Sequence, residues 1–366
     1  MRNAIACVFL VLMSLPTLAA APASGPLNKQ FDGVFREWKD LLTDLRKLKE
    51  EYREAKPERK AEIEKRYREL IEKGGQMESR LVDAAEKAFA EAPNANPQVA
   101  EFLVAVVRGD AGRDDFERAD SLGQLLLKNQ VKDPELLLAA GMAAYGVGHW
   151  DDAEKWLREA TKQGAINEVG SSLLQQIPEC REAWARESKL REAEAKANDL
   201  PRVLLKTNRG DIEIELFENE APNTVANFIS LVEKGFYNGL VFHRVLPNFM
   251  AQGGDPTGKG SGGPGYSIAC ECYKPDARMH FRGSLSMAHA GRDTGGSQFF
   301  LTFLATTHLN GKHTCFGRVV KGFDVLAKIQ RRDPGSPNPP TPDQIVEAKV
   351  LRKRPHAYEP KKIGGQ

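Results

Sequence analysis

The hydrophobic period of the chain changes at Ala197-Asn198-Asp199-Leu200-Pro201, and no other feature constrains the fold as strongly. Upstream, apolar residues return every three or four positions, the spacing of one helix face. Downstream they alternate, the spacing of a strand with one buried side. The chain therefore reads as a helical region followed by a β-rich one, with this segment as the linker. Its 366 residues are long for one domain and fit two or three.

Phe31, Val34, Phe35, Trp38, Leu41, Leu42, Leu45, Leu48 and Tyr52 form the first amphipathic stripe, which would also suit a short coiled-coil seam. Pro57 opens a second helix at its first turn. Ile63, Tyr67, Leu70 and Ile71 mark its apolar side, and Gly74-Gly75 is expected to break it. Met77, Leu81, Ala84, Ala85, Ala88 and Phe89 make a third stripe, ended by Pro93 and Pro97. Residues 27–97 thus form a helical, coiled-coil-like segment. Both signs of charge interleave along it, as on solvated faces with ion pairs four residues apart. With a net charge of +2, the chain has no polyelectrolyte signature for nucleic acid.

Residues 98–197 carry a faint repeat. Phe116-Glu117-Arg118-Ala119-Asp120 returns as Trp150-Asp151-Asp152-Ala153-Glu154, 34 residues later. The next step reaches Trp184, and Leu122, Trp156 and Leu190 keep the same interval. That period is the length of a tetratricopeptide repeat. Gly141, Ala153, Leu157 and Ala160 fall where that motif places small and apolar packing residues. The reading is two degenerate TPR-like repeats and a weaker third, against the alternative of a generic stack of helical hairpins. Such a stack offers a surface to a protein partner, which no residue pattern identifies.

Beyond Pro201, residues 203–207 and 211–216 flank the turn signal Asn208-Arg209-Gly210 and read as a hairpin. Residues 222–233 read as a helix ended by Gly235, with Val225, Phe228, Ile229 and Val232 buried. A shorter helix is expected over 322–329. A last strand is expected over 345–351, after the proline-rich loop 334–342. Residues 241–254, V-F-H-R-V-L-P-N-F-M-A-Q-G-G, set one arginine among apolar neighbours. Pro247-Asn248 reads as a turn between two strands. Met250 and Gln252 then share a face, with Arg244 across the turn. A lone arginine in such a run is equally well a snorkelling or salt-bridged strand residue.

Several motifs lead nowhere. Gly258-Lys259-Gly260-Ser261-Gly262-Gly263 satisfies G-x-G-x-x-G, and 253–259 nearly makes a phosphate loop. Either would need a helix opening at the glycines, but Pro264-Gly265 follows. The stretch is a tight exposed loop beside a groove, or a plain connector. His243, His280, His289, His308 and His313 lack metal-ligand spacing. Ser297 in G-G-S-Q is not a nucleophile elbow. No metal or cofactor is called for. Of five cysteines, Cys7 lies in the N-terminal apolar run. The others, Cys180, Cys270, Cys272 and Cys315, leave open a bridge to Cys315, a poorly spaced metal site, or buried thiols, the simplest reading.

Arg2, the apolar run 4–13 and the small residues up to Ala23 read as a signal peptide over residues 1–23, cleaved after Ala20, Ala21 or Ala23. An uncleaved anchor is the alternative. No other apolar run reaches the roughly 18–20 residues of a spanning helix. The expectation is an exported chain with no membrane span after cleavage. The ending Lys362-Ile363-Gly364-Gly365-Gln366 is not an ER-retention signal, which favours a bacterial periplasm or cell envelope over secretion.

Three later blocks join residues 241–254. They are G-S-L-S-M-A-H-A-G at 283–291, G-G-S-Q-F-F-L at 295–301 and L-N-G-K-H-T-C-F-G at 309–317. In this order and spacing they resemble the cyclophilins, a family of peptidyl-prolyl cis-trans isomerases. The resemblance covers residues 201–355 and leaves 356–366 as a basic tail. It implies a closed, mainly antiparallel β-barrel capped by two helices. By position, Arg244 matches the catalytic arginine and Gln252 the residue that orients it. Phe249, Met250 and Phe300 match the walls of the proline pocket. Ala288 and Ala290 flank His289, whose position meets substrate mainly through backbone. Gln298 belongs to the same block as Phe300, and Leu309 and His313 match the last wall. His243 and His308 complete the implied substrate-binding set. His289 stands where many relatives have asparagine. His308 stands where cyclosporin-sensitive relatives have tryptophan, which implies weak cyclosporin binding with activity retained.

Turning an X-Pro amide breaks no covalent bond; its barrier of roughly 18–20 kcal/mol is amide resonance. An enzyme needs only to bind the twisted amide better than either planar isomer. A hundred-thousand-fold acceleration needs about 7 kcal/mol of such preference. A guanidinium hydrogen bond to the prolyl nitrogen in a dry groove would supply much of it. The expected function is X-Pro isomerisation in exported protein folding, acting on proline-containing peptides and unfolded client proteins. The alternative is a non-enzymatic peptide-binding or scaffold protein acting through the helical repeats. Loss of Arg244, Phe249 or Gln252 would mark it, and all three are present.

Overall fold

The computed structural model describes residues 25–365; the expected signal peptide over 1–23 lies outside the described residues. The chain forms two compact units. The first takes residues up to Ala111, Arg118–Ala140 and Glu159–Ala165. The second takes Gly112–Glu117, Gly141–Arg158 and everything from Ile166.

In the first unit, helices α1 (Pro26–Glu54) and α2 (Pro57–Glu91) pack along their apolar stripes. Trp38, Leu45, Ile63 and Leu81 are buried there. Phe31, Phe35 and Phe102, the last on α3 (Pro97–Gly112), form an aromatic cluster with centroids 5.2–6.0 Å apart. Helix α2 runs unbroken through Gly74-Gly75, against the expected break. The stripe Ile63, Tyr67, Gly74, Met77, Leu81, Ala85, Ala88 stays in phase across the glycines and is buried. Its burial outweighs a propensity cost of about 1 kcal/mol per glycine.

Helices α4 (Phe116–Lys128), α5 (Pro134–Val147) and α6 (Trp150–Lys162) follow. α4 and α6 each have 13 residues and begin at the two aromatic residues of the repeat. Within the second unit, a Cβ on Gly141 would lie 2.8 Å from Leu157 Cγ, and one on Gly146 would lie 2.5 Å from the Phe116 ring. These glycines let α5 approach its neighbours closely.

Helix α7 (Glu168–Ala197) starts at Asn167, whose side chain accepts from the Gly170 N–H at 2.8 Å. It ends at Asn198 in the left-handed conformation. The second unit then builds an antiparallel sheet of eight strands in the order β3-β4-β7-β6-β8-β2-β1-β9. Its strands are β1 (Arg202–Thr207), β2 (Gly210–Leu216), β3 (Arg244–Leu246), β4 (Met250–Gly253), β6 (Ser284–Met287), β7 (Phe299–Thr302), β8 (Cys315–Lys321) and β9 (Ile345–Arg352). β5 (Tyr266–Ile268) pairs separately with β10 (Lys362–Gly365). The core holds Val225, Phe228 and Ile229 of α8 (Pro222–Glu233) and Leu326 of α9 (Phe323–Lys328), with Ile214, Phe299, Leu301 and Phe316 from the strands. Among the described residues no ladder joins the edge strands β3 and β9. A single bridge, Val241 to Gln344, links the segments that precede them.

The switch from helix to strand at 197–201 is not a boundary in packing. Arg278, 1% exposed, is paired with Glu187 at 2.9 Å and with Glu194, both on α7, and lies 3.8 Å from the Phe217 ring. Arg318 on β8 reaches Glu194 at 2.8 Å and Glu215 at 2.6 Å. A guanidinium that far from water needs those carboxylates, so α7 is part of the sheet's own unit. Cys180, Cys270, Cys272 and Cys315 are all unbridged, and burial pushes the Cys315 thiol up to about 12. The structure holds Cys315 as a buried thiol and does not form the bridge to it.

Candidate functional site

The strands set Arg244 and Gln252 directly opposite each other across the β3–β4 hairpin, and Phe300 on β7 opposite Gln252. Residues in register across neighbouring strands share a face, so the three form one row. Met250, two residues before Gln252, projects to the same side. The turn between the strands puts Asn248 in the left-handed region, φ 56°, which asparagine tolerates. Its N–H donates to Asp114 Oδ1 at 2.9 Å. Asp114 is fully buried, and its other oxygen accepts from Arg331 at 2.6 Å.

This row opens into a cavity of about 930 Å³. Phe249, Met250, Phe300, Leu309 and His313 give it an apolar end. Ala288, His289 and Ala290 line its middle, and Gly260 to Gly265 with Tyr266 line the other end. The Arg244 guanidinium lies 5.7 Å from the Phe249 ring centroid and makes no ion pair or hydrogen bond among the described residues. It is therefore not the salt-bridged strand residue of the plain reading, but a donor facing the cavity.

Gln252 does not touch the guanidinium through a hydrogen bond. Its amide donates to Gln298 Oε1 at 3.0 Å, and Gln298 donates to the carbonyls of Gly260 at 3.0 Å and Gly262 at 2.9 Å. Gln252 and Gln298 thus tie the strand floor to the glycine loop. Asp255 holds the loop from within. It accepts from Thr257 N at 2.7 Å, Lys259 N at 3.1 Å and Gly260 N. Burial alone would raise its pKa, but these donors hold it at about 2. Asp255 was not among the sequence candidates; Asp-Pro-Thr-Gly is the Asx-turn composition that could have pointed to it.

The Ala288 N–H donates to Gln298 O at 2.9 Å, and the Ala290 N–H to Thr294 Oγ1 at 3.1 Å. The backbone of His289, between them, makes no hydrogen bond among the described residues. Its ring stacks on His313 at 4.1 Å and meets Lys312 O at 2.8 Å. His313 is oriented by Met287 O at 2.9 Å, and burial lowers its pKa, which favours an uncharged wall. Behind Phe300, His280 stacks at 6.0 Å and lies within 2.8 Å of Ser286 Oγ.

Two of the implied binding residues stand outside the cavity lining. His243 precedes Arg244 and so points the other way; it is buried, its Nδ1 has no partner, and burial lowers its pKa. His308 is exposed and meets the Phe249 ring at a tilt, centroids 5.5 Å apart, without lining the cavity. The expected basic tail is also different. Residues 362–365 form β10, and Ile363 and Gly364 line the cavity. Among the described residues no cluster of three or more His, Cys, Asp or Glu could hold a metal ion, and no helix is long and apolar enough to cross a membrane.

Residues 202–350 match the family model for cyclophilin type peptidyl-prolyl cis-trans isomerase/CLD. A peptidyl-prolyl cis-trans isomerase of Helicobacter pylori is 56% identical over 132 residues, 35% of this chain and 80% of that protein. Peptidyl-prolyl cis-trans isomerase B of Bacillus subtilis is 53% identical over 122 residues, 33% of this chain and 85% of that protein. A Cryptosporidium parvum cyclophilin type isomerase, crystallised in the presence of the dipeptide Ala-Pro, is 35% identical. That match covers 42% of this chain and 99% of that one, with a TM-score of 0.38.

Proposed function

This chain belongs to the cyclophilin-type peptidyl-prolyl cis-trans isomerases, and we propose that Arg244 carries its reaction and that its substrates are proline-containing segments of exported proteins still folding. The proline ring seats at the apolar end, against Phe249, Met250, Phe300 and Leu309. The unused backbone of His289 pairs with the peptide. As the amide twists, a lone pair localises on the prolyl nitrogen, and Arg244 donates to it. The observation that carries this reading is the unpaired guanidinium, held in one row with Gln252 and Phe300 at the edge of an apolar pocket. A charge-assisted bond formed only in the twisted state lowers the barrier rather than tightening ground-state binding. Gln252 acts by fixing the strand and, through Gln298, the glycine loop.

Export rests on the composition of residues 1–23, with the bacterial periplasm or cell envelope as destination and secretion as the alternative. The helical region is read as TPR-like and as the surface that recruits clients. The 34-residue step and the close approach at Gly141 support this. The sheet is read as a barrel closed at the Val241–Gln344 bridge. Presence of Arg244, Phe249 and Gln252 together disfavours a decayed peptide-binding scaffold.

The test is refolding of a secreted protein whose slow phase is limited by proline, with fractionation of cells that express the chain. The reading expects the slow phase to accelerate in proportion to the amount of full chain added. It also expects a mature protein outside the cytoplasm, starting after Ala20, Ala21 or Ala23. An unaffected slow phase, or a cytoplasmic chain retaining residues 1–23, would contradict it.

A further inference from the structure

The segment after β9 is anchored at each step. Tyr358 is buried in the core of the second unit, and its hydroxyl donates to Glu218 at 2.8 Å. Lys361 N donates to Asn223 Oδ1 at 2.7 Å, while Asn223 Nδ2 donates back to Lys361 O at 3.2 Å. This reciprocal pair fixes the segment to the start of α8. β10 then pairs with β5, Lys362 opposite Ile268 and Ile363 opposite Ser267. The Lys362 ammonium sits 4.3 Å from the Tyr266 ring. Alternation along a strand sends Lys362 and Ile363 to opposite sides, and Ile363 lines the cavity.

At that end Gly262, Gly263, Gly265 and Gly296 bring no side chain. Ile363 is 45% exposed, an aliphatic side chain held in place with much of its surface uncovered. Resting on the isomerase reading above, we infer that β10 is a built wall of the substrate groove. Ile363 then selects substrates that carry a large apolar residue next to the proline. With the proline at the Phe249 end, a neighbouring side chain lies towards the glycine end and covers Ile363. Without Ile363 that side chain would meet chiefly glycine backbone, with Pro264 and Tyr266 as the remaining apolar side chains there.

The test uses the full chain, unsubstituted and as Ile363→Asp and Ile363→Val. Two pairs of short peptides are compared by NMR exchange. One pair differs by Phe or Gly before the proline, the other by Phe or Gly after it. In at least one pair, the Phe-over-Gly preference in kcat/KM falls on the order of tenfold in Ile363→Asp, the scale of one apolar pocket contact. Ile363→Val keeps most of that preference. An unchanged preference in both pairs would overturn this inference alone. So would faster isomerisation of every peptide in Ile363→Asp, since β10 would then be an obstruction. No isomerisation by the unsubstituted chain would overturn the functional reading, and this inference with it.

Discussion

Replacing Asp114 by alanine cuts the tie between a helix connection and the turn that carries Phe249. Asp114 accepts two bonds, from Asn248 N at 2.9 Å and from Arg331 at 2.6 Å. Burial pushes its carboxyl up, and the charge of Arg331 opposes that shift. Breaking a buried pair by removing one partner costs about 3–5 kcal/mol. Arg331 keeps the carbonyls of Ala327, Ile329 and Arg113, so the lower figure, about 3 kcal/mol, applies. For a unit of this size that is a fall in Tm of about 6–12 °C. The turn also loses its outer anchor, and a displacement of about 1 Å at a reacting group can cost a hundredfold in rate. Asp114→Asn keeps an acceptor for Asn248 and loses only the charge. Urea denaturation and NMR exchange of an X-Pro peptide, well below both midpoints, separate the two effects. Asp114→Ala is expected to lose stability and at least about tenfold in kcat/KM; Asp114→Asn is expected to lose mainly stability. Wild-type catalysis by folded Asp114→Ala, or equal catalytic losses in both variants, would refute the positioning argument.

Stability should fall with acid before the carboxylates titrate. Burial holds His280 at about 4 in the folded chain, while the unfolded chain takes up its proton near 6.5. Stability is therefore full above pH 6.5 and declines towards pH 4, by about 3 kcal/mol from this residue. Urea midpoints between pH 7.5 and 4.5 check this, and a flat profile would contradict it. Gln298→Ala releases the Gly260 and Gly262 carbonyls, bonds worth about 1 kcal/mol each. KM should rise about tenfold with a smaller change in kcat, as expected when binding geometry is loosened. Cyclosporin should inhibit weakly, because His308 offers a small exposed ring over Phe249; a submicromolar inhibition constant would contradict this.

What could be read from the sequence was what local patterns encode. The Arg244–Gln252 register followed from Pro247-Asn248 between two alternating runs. The helix over 222–233 and the hairpin at 208–210 followed from equally local signals. The misses are tertiary. Asp114 meets Asn248 across 134 residues, which no periodicity records. Residues 362–365 are too short and too rich in glycine and lysine to show a strand pattern, and become one only because β5 offers an edge. Gly74-Gly75 reads as a break on propensity alone, and the buried stripe on either side carries the helix through it. His243 entered the binding set through its place in F-H-R, although strand alternation already sends it away from Arg244.

NMR exchange between cis and trans forms of a short X-Pro peptide, with the full chain and with Arg244→Ala, tests directly whether the Arg244 guanidinium carries the reaction. The full chain is needed because a fragment starting at residue 200 would leave Arg278 buried without Glu187 and Glu194. Exchange is expected to be rapid with the full chain and to fall towards the uncatalysed rate in folded Arg244→Ala, with peptide binding largely kept. Equal exchange rates in the two proteins would contradict it and would move the chemistry away from Arg244.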